Sequence, residues 1–119
     1  TLTEYEEATL LPVFVKGLVT KVGKENSITN KEIVAKLKPA YKVNDTRVRK
    51  LINHIRINGL ILGLIATSDG YYIATSETEL VEYEQSLLGR ESAIRAVRLS
   101  IHKQRLQMFQ HEQQKLFIE

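Results

Sequence analysis

Between Glu77 and Phe117 the chain contains no proline, and Gly89 alone interrupts a run of good helix formers. A helix of about 40 residues is about 60 Å long. A chain of 119 residues makes one small domain, and such a domain cannot bury a rod of that length. Residues 77–119 are therefore predicted to form a long C-terminal helix that needs a partner, and residues 1–76 must supply the compact core. Leu80, Leu87, Ile94, Ile101 and Met108 recur along the helix at intervals of seven, the spacing of one coiled-coil seam. The alternate seam is mixed, with Tyr83, Arg90, Val97 and Gln104. Leu80, Leu87, Ile94, Val97, Ile101 and Met108 are the expected dimerisation contacts, because self-association is the commonest way to cover such a face. The plainer alternative is a helix whose first half folds back on the N-terminal helix while a Gln-rich end (Gln104, Gln107, Gln110, Gln113, Gln114) frays.

The first 76 residues carry strong local signals. Thr3 and Glu6 have the spacing of a capping box, as do Thr29 and Glu32, and Ser76 and Glu79; in each the side chains serve one another's free backbone N–H groups. A first helix is expected from Thr3, with Leu10, Leu11, Phe14, Leu18 and Val22 on one face. Pro12 sits inside it and must either kink it or mark a boundary near Leu11. A second helix of about ten residues starts after Thr29, with Ile28 and Ile33 as a hydrophobic staple, and stops before Pro39. A third starts after Asn44 or Asp45, buries Val48, Leu51, Ile52 and Ile55, and ends at Gly59. Two strands, 60–66 and 71–75, then flank Thr67-Ser-Asp-Gly70, where Asp-Gly suits a tight hairpin turn. The fold class is mainly α with a small β-hairpin.

Charge is unevenly spread. Lys31, Lys36, Lys38, Lys42, Arg47, Arg49, Lys50 and Arg56 face only Glu32 and Asp45 across that stretch, a local net charge of +6, while the rest of the chain is net −3. A concentrated basic patch is the footprint of a phosphate-binding face; a solvated surface is the bland alternative. No apolar run reaches the ~20 residues of a membrane span, and the N-terminal Thr-Leu-Thr-Glu-Tyr-Glu-Glu is acidic where a signal peptide is basic. With no cysteine, disulfides and thiolate metal sites are excluded. A cytoplasmic location is expected.

The order helix, helix, turn, helix, hairpin, long helix resembles the winged helix-turn-helix architecture. The residues that carry the resemblance are Ile28-Thr-Asn-Lys-Glu-Ile33, Thr46-Arg-Val-Arg-Lys-Leu-Ile-Asn-His-Ile-Arg-Ile-Asn-Gly59 and Ser68-Asp-Gly-Tyr-Tyr-Ile-Ala74, within residues 3–76. They are similar to small phage and prophage winged-helix proteins and to biotin-repressor-type N-terminal domains. The resemblance implies a winged-helix DNA-binding domain at 1–76 and a sequence-specific regulator of transcription that docks its third helix, residues 45–58, in the major groove of double-stranded DNA.

The residue types agree with that expectation. On the third helix the face opposite the core carries Thr46, Lys50, Asn53 and Ile57, flanked by Arg49 and Arg56 on one side and Arg47 and His54 on the other. Arg or Lys can donate to guanine O6 and N7, and Asn pairs bidentately with adenine. Lys31, at the start of the second helix, suits a phosphate contact that sets register, and Lys42 and Ser68 are further backbone candidates. Each has an ordinary reading too: Asn53 and His54 as solvent-exposed residues, Arg56 as an ion-pair partner near the core edge, Ile57 as packing on the hairpin. Of Tyr71 and Tyr72, one is expected in the core and the other on the sheet surface. Catalysis is not expected: His54, His102 and His111 lie on separate segments without ligand partners at helical spacing, no phosphate-binding glycine loop is present, and no cofactor is implied. Two other roles remain open, a protein-interaction adaptor or inhibitor and an accessory protein of DNA replication.

Overall fold

The computed structural model describes the backbone of residues 1–118 and the side chains of residues 1–110; His111, Gln113 and Gln114 lie outside the described side chains. The chain divides into two units, Thr1–Leu80 and Val81–Glu119. It is mainly helical with one antiparallel hairpin.

The chain turns helical at Glu4, behind the expected capping box: Thr3 N–H donates to Glu6 Oε1 at 2.8 Å and Glu6 N–H to Thr3 Oγ1 at 3.2 Å. Pro12 does not break this helix. It has no N–H to give the carbonyl four residues back, and the turn just before it, Glu6–Leu10, is widened to π geometry, with Leu11 N–H on Glu6 O. Such a widened turn lets a helix continue past an irregularity in its hydrogen-bond ladder. Helix α1 (Leu11–Leu18) follows. Helix α2 (Asn30–Leu37) has the full Thr29–Glu32 capping box and is eight residues long, two fewer than expected. Helix α3 (Asp45–Asn58) is capped by Asn44, whose Oδ1 accepts from Arg47 N–H at 2.8 Å. It ends on Gly59 at φ +61°, the left-handed conformation that glycine takes without a Cβ penalty.

These three helices share a core of Leu10, Phe14 and Leu18 with Ile33, Val48, Leu51, Ile52 and Ile55, closed by Ile28, Val43, Ile61 and Leu64. Burying each large aliphatic side chain contributes roughly 1.5–3 kcal/mol, so α3, with four wholly buried, is the best-anchored element.

The strands are shorter than expected: β1 (Leu64–Thr67) and β2 (Gly70–Ile73), in the register Leu64↔Ile73 to Thr67↔Gly70. Gly63, at φ +76°, holds residues 60–63 in a turn and delays the first strand. The hairpin turn is not of the mirror-image kind, because neither Ser68 nor Asp69 has positive φ. Gly70 takes it instead, at φ +123°, and a Cβ there would lie 2.7 Å from Ile28 O. That close approach exists because the segment before α2 lines the free edge of β2. Ile28 N–H donates to Tyr71 O at 3.0 Å, Tyr71 N–H to Ile28 O at 2.8 Å, and Ile73 N–H to Lys21 O at 2.7 Å. Tyr72 is buried in the core and Tyr71 is half-buried. Ile57 does not pack on the hairpin; it is 75% exposed.

Helix α4 (Glu77–Ile118) has the predicted length. Its start differs by one residue. Glu79 N–H does bond Ser76 Oγ, but the Glu79 carboxylate reaches past Ser76 to Thr75, at 2.9 Å from N–H and 2.7 Å from the hydroxyl. Every described side chain from Glu84 to Gln110 is exposed, including the predicted seam residues Leu87, Ile94, Val97, Ile101 and Met108. The exposed apolar residues fall on two stripes, not one. Val81, Leu88, Leu99 and Leu106 lie roughly 140° around the helix from the seam. Val81 to Leu99 and Leu88 to Leu106 are each five whole turns apart on a straight helix. No helix among the described residues is long and apolar enough to cross a membrane.

Candidate nucleic-acid interface

With Val48, Leu51, Ile52 and Ile55 pinned inward, helical periodicity leaves Thr46, Arg49 and Asn53 exposed on the other side of α3, with Lys50 and Arg56 half-buried beside them. Together with Ala66 and Tyr71 of the hairpin they line an open groove of about 470 Å³. The groove lining carries three cationic side chains and no carboxylate. Tyr71 forms part of its wall. Burial raises its phenol pKa, the guanidinium groups of Arg49 and Arg56 oppose that rise, and Asp45 adds to it. The Asn53 amide oxygen accepts from Arg56 Nη2 at 3.1 Å, so these two side chains orient each other along the groove.

One contact reorders the expected site. Glu6 is 3% exposed and accepts from Lys50 Nζ and from Arg47 Nε, each at 2.8 Å. Burial by itself would raise its pKa. The bonds from Lys50, Thr3 N–H and Arg47 outweigh that effect and hold the carboxyl at about 2. Arg47 also donates to Lys42 O at 2.8 Å and stands over the Tyr5 ring, 5.5 Å from its centroid, while Tyr5 OH accepts from Lys42 N–H. Arg47 and Lys50 therefore tie the first turn of the chain to the start of α3, through Arg47 Nε and Nη1 and Lys50 Nζ. Sequence periodicity placed Lys50 at the middle of the outward face but carried no sign that Glu6, 44 positions earlier, would neutralise it.

The remaining candidates are placed as follows. Lys31 is exposed in the first turn of α2, Lys42 is exposed before α3, and Ser68 is exposed at the hairpin tip. His54 is half-buried on the side of α3 and faces Asn58, whose Nδ2 lies 3.3 Å from its Nδ1 and donates to its backbone oxygen. Asn30 escaped sequence reasoning altogether. Its Nδ2 donates to Asp45 Oδ1 at 3.0 Å and its Oδ1 accepts from Tyr71 OH at 2.9 Å, so one amide fixes the starts of α2 and α3 against the hairpin. The hairpin tip is tied down too, by Ser27 Oγ to Asp69 O at 3.2 Å and a Lys24–Asp69 ion pair at 3.6 Å.

A second concavity lies between α1 and α2. Its volume is about 240 Å³ and it is lined mainly by Val13, Phe14, Leu18, Ile28 and Ile33, with Lys21 and Lys36 at its rim. Among the described residues no three His, Asp or Glu side chains converge as a metal site requires. Compared with protein-family models, with curated proteins and with solved structures, the chain matches none.

Proposed function

We propose that residues 1–76 form a winged helix-turn-helix domain that binds double-stranded DNA, with α3 in the major groove and the β1–β2 hairpin as a short wing. One observation carries the reading: the outward face of α3 lines an open groove that gathers Thr46, Arg49, Asn53 and Arg56 with no carboxylate in its lining. The major groove admits one α-helix, and Arg and Asn are the side chains that pair bidentately with guanine and adenine edges. Arg49 and Asn53 are the base-reading residues. Lys31, Lys42 and Ser68, with the free N–H groups at the start of α2, supply phosphate contacts that fix register, and His54 lies at the edge of that footprint. Arg47 and Lys50 serve the site as structural ties through Glu6. The chain acts as a homodimer through α4, as a regulator of transcription of the phage or prophage kind, in the cytoplasm.

A titration against a random-sequence duplex at two salt concentrations tests the DNA reading. Binding that weakens steeply with salt is expected, because each neutralised phosphate releases counterions. An Arg49→Glu variant should lose that binding while keeping its fold. A protein-adaptor role has one observation in its favour: Ile57 and Leu62, 75% and 83% exposed, stand at the end of α3 and in the turn after it. Absence of DNA binding even at low salt would leave that second reading in its place.

A further inference from the structure

We propose that α4 pairs antiparallel with a second copy of this chain, the two-fold axis crossing near Ser92. The inference rests on the homodimer part of the function proposed above and adds its orientation. Helix α4 carries its charge in two blocks. Residues 77–91 hold Glu77, Glu79, Glu82, Glu84 and Glu91 against Arg90 alone, a net charge of −4; residues 92–110 hold Arg95, Arg98, Lys103 and Arg105 and no acid, a net charge of +4. None of the ion pairs found among the described residues involves a charge of these two blocks. A parallel pair would set acid beside acid and base beside base over the whole contact. An antiparallel pair centred on the boundary at Ser92 sets each acidic block against the partner's basic one. Complementary flanking charges are what select orientation in coiled coils.

The seam agrees. Its second row contains Arg90, and a parallel pair would bring the two Arg90 guanidinium groups face to face in an apolar layer. Antiparallel layers pair unlike rows. With the axis at Ser92, Leu87 meets the partner's Val97, Ile101 meets the partner's Tyr83, and the two arginines stand in separate layers, each with an apolar neighbour. The same axis places the two Leu80 residues, where the first units join their helices, about 36 Å apart along the pair.

The orientation can be read without DNA. The chain has no cysteine, so Ser92→Cys and Gln107→Cys, both exposed and off the seam, each provide one site for a spin label. Intermolecular distances are measured in the full-length protein. A label at Ser92, on the side of the helix opposite the seam, should give a short distance set by the width of the pair, about 20–30 Å, and one at Gln107 a distance of about 45 Å, from 30 residues of axial separation. Short distances at both positions would mean a parallel pair and overturn the inference while leaving the homodimer intact. No intermolecular coupling at either position, with a monomer mass at micromolar concentration, would remove the homodimer as well. Neither result would touch the DNA reading of α3, which the salt titration decides alone.

Discussion

Glu6 governs more of this molecule than its exposed-looking sequence context suggests. It caps the first helical turn, sits inside the widened turn ahead of Pro12, and receives both Arg47 and Lys50. A buried carboxylate is tolerable only when paired and hydrogen-bonded, and leaving one partner of such a cluster alone is costly. Glu6→Gln should therefore destabilise the protein by roughly 1–3 kcal/mol, measured by denaturant unfolding at neutral pH. The pH dependence has a definite sign. A carboxyl whose pKa is about 2 in the folded chain, against an ordinary 4.5, stabilises the fold fully above pH 4.5, and that stabilisation is lost as pH falls through 2. Melting temperatures taken across pH 5 to 2 should fall less steeply for Glu6→Gln than for the parent chain; equal slopes would mean that Glu6 is not the group responsible. Lys50 and Arg49, adjacent in sequence, should separate in the same spirit. Arg49→Ala should weaken specific DNA binding by roughly 1–3 kcal/mol and leave stability unchanged. Lys50→Ala should lower stability by about 1 kcal/mol and leave discrimination among DNA sites intact. A Lys50→Ala variant that folds normally but loses discrimination would return Lys50 to the reading face.

At the scale of elements, the hairpin is fixed by the backbone along the free edge of β2 as well as by its own two strands. Gly70 combines φ +123° with a backbone oxygen 2.7 Å from where a Cβ would stand, and the obstructing atom belongs to the segment that lines β2. Gly70→Ala should cost about 2 kcal/mol or more, because both the conformation and the contact oppose it; Gly59→Ala, with open space around it, should cost only the strain of positive φ, roughly 1 kcal/mol. Thermal melts of the two variants side by side check the ranking. Helix positions were legible in the sequence because capping, periodicity and glycine stops act over three to seven residues, as Thr29–Glu32 and Asn44 to Gly59 illustrate. The outward face of α3 was legible for the same reason. What escaped depends on long-range contact. The Glu6 cluster joins positions more than 40 apart, Asn30 joins three elements through one amide, and the edge of β2 is completed by residues 21–28 that have no strand pattern of their own. The second stripe on α4 escaped for a different reason: a search for one repeating seam passes over residues that alternate steps of seven and eleven.

For the whole molecule, the decisive question is whether α4 joins two DNA-reading units into one binder. The seam side chains Leu87 and Ile94 are exposed in the single chain and contribute nothing to the core of the first unit, so replacing both by aspartate should leave that unit's melting unchanged. It should also set an aspartate against the partner's Val97 in two layers of the paired helices and remove the apolar neighbour of each Arg90, and the protein should then run as a monomer at micromolar concentration. Tethering two sites converts the second binding event into an intramolecular one, a gain of about 10²–10⁴ in apparent affinity when the spacing fits. Leu87→Asp/Ile94→Asp should accordingly bind a duplex carrying two copies of a selected site, one helical turn apart, at least about 100-fold more weakly than the parent chain. A duplex with one copy should bind both proteins alike. Binding isotherms on the two duplexes, at one salt concentration, make the comparison. Equal losses on both would mean that α4 acts on the reading unit itself, and no loss on either would mean that each chain reads DNA alone.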